Sequence, residues 1–153
     1  MPLEIIIVGA GIAGLSTGIS LRRAGHHVRI LERSTLNNEI GAAINVPPNA
    51  SRGLLAWGVD PVASRFVPVQ GIMNGVGATL APIMEAPLGG WVTGVYGAPL
   101  YFAHRVDLHE ALRALATGDG PGRPVDLLLE TTVVSYVSRF HQEDPLDMKS
   151  GNT

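Results

Sequence analysis

The fold is decided by residues 5–33, which begin Ile5-Ile6-Ile7-Val8-Gly9-Ala10-Gly11-Ile12-Ala13-Gly14. The first four residues are β-branched and uncharged, which predicts a strand buried on both faces of a parallel sheet. The next six have the spacing Gly-x-Gly-x-x-Gly. In such a turn Gly9 permits a tight bend, Gly11 lets the backbone approach a pyrophosphate, and Gly14 lets the following helix pack close to the strand.

The rest of this stretch completes a strand-helix-strand unit. The apolar residues of the helix share one face, and Gly25 is placed to cap it. A second strand is predicted at residues 28–31, and Glu32 stands at its end. A carboxylate there accepts hydrogen bonds from a ribose, while the helix N-terminus holds phosphates. The stretch therefore indicates a dinucleotide site, because the alternative of an ordinary glycine-rich turn leaves Glu32 unexplained.

Composition excludes several classes of function. The chain has 153 residues, enough for one domain with a core, and its formal net charge is -2 without a basic block. It therefore has no electrostatic footprint for nucleic acid. The absence of cysteine excludes disulfides, thiol catalysis and thiolate metal sites. Residues 5–21 are uncharged, but glycines interrupt them, and their pattern predicts a strand, a turn and a helix. We therefore expect neither a membrane span nor a signal peptide, and we expect a cytoplasmic location.

Further elements are predicted along the chain. Short strands and turns, including a small antiparallel sheet, are expected between residues 59 and 100, where Gly and Pro are frequent. A helix is expected with Asp107 as its N-cap and Gly118 at its end. The other predictions are a helix from Pro47 to Gly58 and strands at residues 125–129 and 133–137.

Arg105 lies just before the helix that is predicted to start at Asp107. A guanidinium there can meet a carboxylate, a phosphate or an aromatic ring system, although a surface arginine is the simpler interpretation from the sequence alone. His104 and His109 are five residues apart, the wrong spacing for two ligands on one helical face, so no metal site is predicted.

Three segments of the chain resemble the FAD-dependent aromatic hydroxylases, the single-component flavoprotein monooxygenases related to salicylate hydroxylase. Together the likeness covers about residues 3–138. The segments are residues 8–14 (VGAGIAG) with residues 31–33 (LER), residues 39–50 (EIGAAINVPPNA) and residues 105–112 (RVDLHEAL).

The resemblance implies a Rossmann-like α/β FAD-binding fold with a parallel sheet, incomplete relative to the family, and a small antiparallel β insertion. It implies that NAD(P)H reduces the flavin and that one oxygen atom of O2 passes to a small aromatic substrate. It moves Arg105 from a surface residue to a cofactor contact. The cofactor-binding residues implied in this way are Gly9, Gly11, Gly14, Glu32, Arg33, Ala43 and Arg105.

The chain lacks the later Asp-Gly and Gly-Asp segments of that family, so it is expected to be the N-terminal portion of a longer enzyme. Residues 1–138 are expected to form the FAD-binding domain. Residues 139–153, which are polar and contain the chain's single lysine, are expected to be a divergent, disordered tail. The resemblance also implies that a strand beside residues 5–8 is missing, which would leave an apolar sheet edge unpaired and predicts self-association. Two alternatives stay open, namely a truncated module without turnover and an NAD-linked dehydrogenase domain.

Overall fold

The computed structural model describes residues 1–36, 41–79 and 81–137. The predicted tail at residues 139–153 and the first two residues of the segment 39–50 lie outside the described residues. Along the described chain the elements are β1 (Glu4–Val8), α1 (Ile12–Arg23), β2 (His27–Leu31), β3 (Ala43–Val46), α2 (Pro48–Trp57), β4 (Val67–Pro68), β5 (Gly71–Gly75), β6 (Pro82–Pro87), α3 (Gly89–Tyr96), β7 (Tyr101–His104), α4 (Arg105–Thr117) and β8 (Asp126–Leu128).

The described strands form one parallel and two antiparallel sheets. The parallel sheet has the order β1-β2-β8, with Ile7 of β1 beside Ile30 of β2. The first antiparallel sheet has the order β3-β7-β4, and β5 and β6 form the second. This is the Rossmann-like α/β architecture with an antiparallel addition that the sequence predicts, since the strand-helix-strand unit forces β1 and β2 to be parallel.

Helix α1 packs on one face of the parallel sheet, and α4 packs on α1. The core between these layers contains Leu15, Ile19, Ile30 and Leu112, each no more than 1% exposed. Gly18 provides close contact between helix and sheet, because a Cβ there would lie 3.1 Å from Ile30. The hydrophobic periodicity of both helices thus produces the observed layers.

The prediction that β1 is buried on both faces is wrong for the described residues. Ile6 and Val8 are 65% and 66% exposed, whereas Ile7 on the opposite face packs against the core. An alternating pattern of exposure results, because α1 covers one face of the sheet and none of the described elements covers the other. The apolar run of β1 is typical of a parallel sheet that is covered on both faces, and here the described elements cover only one face.

The helix boundaries differ from prediction in one important place. Helix α4 begins at Arg105 with His104 as N-cap and without a side-chain cap hydrogen bond, so Asp107 is not the N-cap. Asp107 instead is buried and forms an ion pair with Arg65, whose Nε donates to its Oδ2 at 3.1 Å. This hydrogen-bonded guanidinium lowers the pKa of Asp107. The carboxylate that local spacing predicted as a helix cap is therefore bound by Arg65, 42 residues away in the sequence.

Two further predictions are corrected. Residues 89–96 form a helix where short strands and turns were expected, and residues 133–137 have no regular secondary structure. The caps at Gly25 and Gly58 are confirmed. Gly25 has φ +87, and its N–H and that of His26 donate to the carbonyls of Arg22 and Leu21 in a Schellman arrangement.

Within the described residues no helix is long and apolar enough to cross a membrane.

Candidate dinucleotide-binding site

The turn from β1 to α1 has the geometry that its glycines predict. Gly9 has φ +98, a left-handed conformation that is costly for other residues. A Cβ on Gly14 would lie 2.0 Å from the carbonyl oxygen of Gly9, so only glycine permits this close approach of helix and strand. These two roles, the tight bend and the close packing, are confirmed.

Gly11 is the N-cap of α1, and its surroundings are open, unlike the crowded surroundings of Gly14. A Cβ on Gly11 would meet no protein atom within 4 Å, so the space beside its backbone is open. In the described structure α1 has neither a side-chain cap hydrogen bond nor an acidic residue in its first turn. The first N–H groups of a helix have no partners inside the helix and carry the positive end of its dipole. The turn therefore offers backbone donors to an anion.

Glu32 lies at the end of β2 and its side chain points to the glycine turn. Its Oε2 accepts a hydrogen bond from the Ala10 N–H at 2.7 Å, and its Oε1 accepts one from the Ser34 N–H at 2.8 Å. The bond from Ala10 is the largest cause of a lowered pKa of Glu32; partial burial opposes it, and the bond from Ser34 adds to it. Glu32 is therefore an anion at neutral pH, next to the anion-attracting helix terminus.

A cleft of about 260 Å³ opens beside this carboxylate. It lies at the carboxyl ends of β1 and β2, where ligands of open parallel sheets bind. Arg33 lines it together with Glu32, and residues 131–133 form another part of its wall. The carbonyl of Glu32 accepts a hydrogen bond from the Thr131 N–H at 2.8 Å, which holds this wall in place.

Ala43 and Arg105, which are 62 positions apart in the sequence, are neighbours in the fold. Strand β3 pairs with β7 so that Ala43 lies opposite His104, and the Arg105 N–H donates to the carbonyl of Ala42 at 2.9 Å. Arg105 is the first residue of α4 and is half-buried. The segments of Ala43 and Arg105 therefore form one unit, which α4 connects to the glycine turn.

The residue that makes this connection has no signal in the sequence. His109 of α4 is 2% exposed, and its Nε2 lies 2.6 Å from the carbonyl oxygen of Ala10. The two residues are 99 positions apart, so no local pattern signals the contact. His104, by contrast, is exposed. Among the described residues no group of three or more His, Asp or Glu side chains is arranged to hold a metal ion.

The fold and the turn define a Rossmann-like dinucleotide-binding domain. Residues 7–44 match the family described as "NAD(P)-binding Rossmann-like domain". Over 135 residues, 88% of this chain, the sequence is 53% identical to the FAD-dependent monooxygenase cfoG of Aspergillus candidus, and it covers 31% of that protein. Over 114 residues it is 40% identical to 3-amino-4-hydroxybenzoate 2-monooxygenase of Streptomyces cremeus, covering 74% of this chain and 29% of that enzyme.

A solved structure is similar as well. The tetrameric form of 2-methyl-3-hydroxypyridine-5-carboxylic acid oxygenase superposes with a TM-score of 0.64 at 25% identity, over 84% of this chain and 32% of that chain. The chain is therefore similar to a portion of these FAD-dependent and related monooxygenases. It spans less than a third of the length of the relatives that it matches.

Proposed function

We propose that this chain binds FAD through the glycine turn and Glu32, as the FAD-binding portion of a monooxygenase that uses NAD(P)H and hydroxylates a small aromatic molecule. The observation that carries this proposal is the open space at Gly11, which lies at an uncapped helix N-terminus beside an anionic carboxylate. A pyrophosphate requires such close backbone approach, and a ribose requires such an acceptor.

The residues present fit the adenosine and pyrophosphate part of FAD. Glu32 uses one acceptor site on each carboxylate oxygen for Ala10 and Ser34, and a carboxylate has about four such sites, so capacity remains for two ribose hydroxyls. We propose that the sugar of the adenosine lies in the cleft of about 260 Å³ beside Glu32. Arg33, Ala43 and Arg105 are the further cofactor contacts that we propose.

The isoalloxazine ring of FAD supplies the electron transfer and oxygen chemistry of such enzymes when it is bound, and the protein supplies binding and orientation. For this chain the proposed contribution is to hold the diphosphate on the backbone of the glycine turn and to fix the adenosine beside Glu32. The relatives named for amino- and hydroxybenzoate or hydroxypyridine substrates support a small aromatic acid as the substrate class.

The binding claim is tested with the purified full chain and FAD. We expect the chain to quench the fluorescence of added FAD in a saturable manner. Gly11→Ala places a methyl group in the open space, so it should weaken FAD binding by about tenfold or more, the equivalent of a modest steric clash. Gly53→Ala in α2 adds a methyl group that meets nothing and serves as the control. A chain that neither quenches FAD nor distinguishes these variants would contradict the proposal.

The same preparation separates the alternatives. NAD(P)H oxidation by the FAD-loaded chain, stimulated by an aromatic acid, would support a monooxygenase that is active in this form. Binding of FAD without any oxidation of NADH or NADPH would support the binding module without turnover. Binding of NADH, followed by its own fluorescence, in preference to FAD would support the dehydrogenase alternative.

We also propose that a second copy of the chain associates through the edge of β1. This strand ends the parallel sheet of the described residues, and its Ile6 and Val8 are exposed on the uncovered face of the sheet beside that edge. Lysine blocks such edges. Sedimentation velocity should therefore show a dimer for the wild type and a monomer for Ile6→Lys, whereas Val62→Lys, at a loop residue that is 85% exposed, should remain dimeric. A monomeric wild type at high concentration would refute this proposal.

A further inference from the structure

His109 is a buried polar residue for which the proposed FAD contacts do not account. It is the fifth residue of α4, and its Nε2 contacts the carbonyl oxygen of the fully buried Ala10 at 2.6 Å. A carbonyl oxygen only accepts hydrogen bonds, so Nε2 must carry a proton and donate. The hydrogen bond therefore fixes the orientation of the imidazole, with Nε2 as the donor.

This contact and Glu32 hold Ala10 from two sides. The N–H of Ala10 donates to Glu32 Oε2 at 2.7 Å, and its carbonyl accepts from His109. No cis peptide bond occurs in the described chain, and in a trans peptide the C=O and the following N–H point in opposite directions. By drawing the Ala10 carbonyl toward the buried imidazole, His109 aims the N–H of Gly11 the other way, away from the core.

The direction of that N–H matters because Gly11 is the N-cap of α1, where the adjoining space is open. A free donor that faces open space at a helix N-terminus is suited to a phosphate oxygen. Rotation of the Ala10–Gly11 peptide would remove this donor from the anion site without changing any residue that touches a ligand.

His109 also fixes α4 on the glycine turn. Arg105 lies four residues earlier on α4, and residues four apart share a helical face. The backbone of Arg105 is bonded to Ala42, next to Ala43. Together with the packing of α4 on α1, this hydrogen bond holds the segments of Arg105 and Ala43 in position relative to the phosphate-binding amides.

We propose that His109 is a positioning residue for the cofactor, which orients the Ala10–Gly11 peptide and sets the spacing between the glycine turn and the segment of Arg105. This inference rests on the proposed binding of FAD. It requires a donor at the Nε2 position of residue 109, not the charge or the ring of histidine.

The test compares three variants. His109→Leu removes the donor and keeps apolar bulk, His109→Gln keeps an N–H donor near the position of Nε2, and Ser51→Ala is the matched control. Ser51 is 1% exposed and its Oγ donates to the carbonyl of Pro99 at 2.6 Å, so its loss also leaves a backbone carbonyl without its side-chain donor, away from the glycine turn.

We expect His109→Leu to raise the Kd for FAD about tenfold, the effect of one lost hydrogen bond, while His109→Gln stays within about threefold of wild type. Ser51→Ala should lower thermal stability but leave the Kd unchanged. Equal losses in His109→Leu and His109→Gln, or a Kd of wild-type value in His109→Leu, would overturn the proposal.

A measurement without FAD keeps this inference separate from the proposed function. In ¹H–¹⁵N spectra of the full chain without ligand, the imidazole of residue 109 should be protonated at Nε2, and the Gly11 amide should shift in His109→Leu but not in Ser51→Ala. If wild type fails to bind FAD, the proposed function fails, and the Gly11 shift still decides the role of His109. An unmoved Gly11 amide would refute that role.

Discussion

Gly14→Ala is expected to destabilise the protein, against the usual effect of alanine in a helix. A Cβ at this position would lie 2.0 Å from the carbonyl oxygen of Gly9, 3.2 Å from its carbonyl carbon and 3.4 Å from a methyl group of Ile7. The oxygen has to retreat by about 1.4 Å before the contact becomes ordinary. The two nearest atoms both belong to the backbone of Gly9, so no flexible side chain can absorb the movement.

The magnitude follows from two opposing terms. Overpacking costs about 1–3 kcal/mol, and this contact belongs at the upper end because the backbone of Gly9 is constrained at φ +98. Alanine regains about 1 kcal/mol of helix propensity over glycine. The free energy of unfolding of Gly14→Ala should therefore fall by about 2 kcal/mol.

Urea denaturation followed by circular dichroism measures this change. Gly53→Ala is the matched control, because Gly53 lies inside α2 and its added Cβ would meet no atom within 4 Å. The control should gain about 0.5–1 kcal/mol from helix propensity alone. The two variants should thus change stability in opposite directions. Equal stabilisation by both would refute the close packing of α1 on the turn, and with it the reason for the third glycine.

Three more outcomes are expected. Arg22 is 2% exposed, and its guanidinium donates to four backbone carbonyls near the end of α4 and beyond it. Arg22→Met should therefore lower the free energy of unfolding by about 3 kcal/mol and Arg22→Lys should lower it less, a difference that urea denaturation measures. Asp107→Asn should cost up to about 1 kcal/mol at pH 7, since the partner Arg65 is largely exposed. The folded pKa of Asp107 is lowered, so its contribution is present above the pKa of the unfolded chain and is lost as pH falls through the folded value. Thermal unfolding of wild type and Asp107→Asn should therefore converge on acidification, and a constant difference would contradict the ion pair. Glu32→Gln should weaken FAD binding about tenfold in a fluorescence titration, because an acceptor for Ala10 remains but the charge is lost; unchanged affinity would exclude a ribose contact by the carboxylate.

Local sequence determined the elements whose signals lie within a few residues. The β-branched run predicted β1, the glycine spacing predicted the bend at Gly9 and the packing at Gly14, and Gly25 and Gly58 predicted helix ends. These features depend on backbone sterics and hydrophobic periodicity, which act over one or two turns of chain. The resemblance added Ala43 and Arg105 as expected cofactor contacts, which pattern alone left undecided.

Only the tertiary structure decided which partners the polar side chains obtain. Asp107 pairs with Arg65 and does not cap α4, and His109 contacts the carbonyl of Ala10, 99 residues away in the sequence. Arg22 lies in the last turn of α1, and its buried guanidinium donates hydrogen bonds to backbone carbonyls at the C-terminal end of α4. Burial makes an unpaired polar group costly, so each such group takes whichever partner the packing of α1 against α4 brings near. The sequence by itself determined where the turn forms, but the packing of the layers decided how its peptide groups are held.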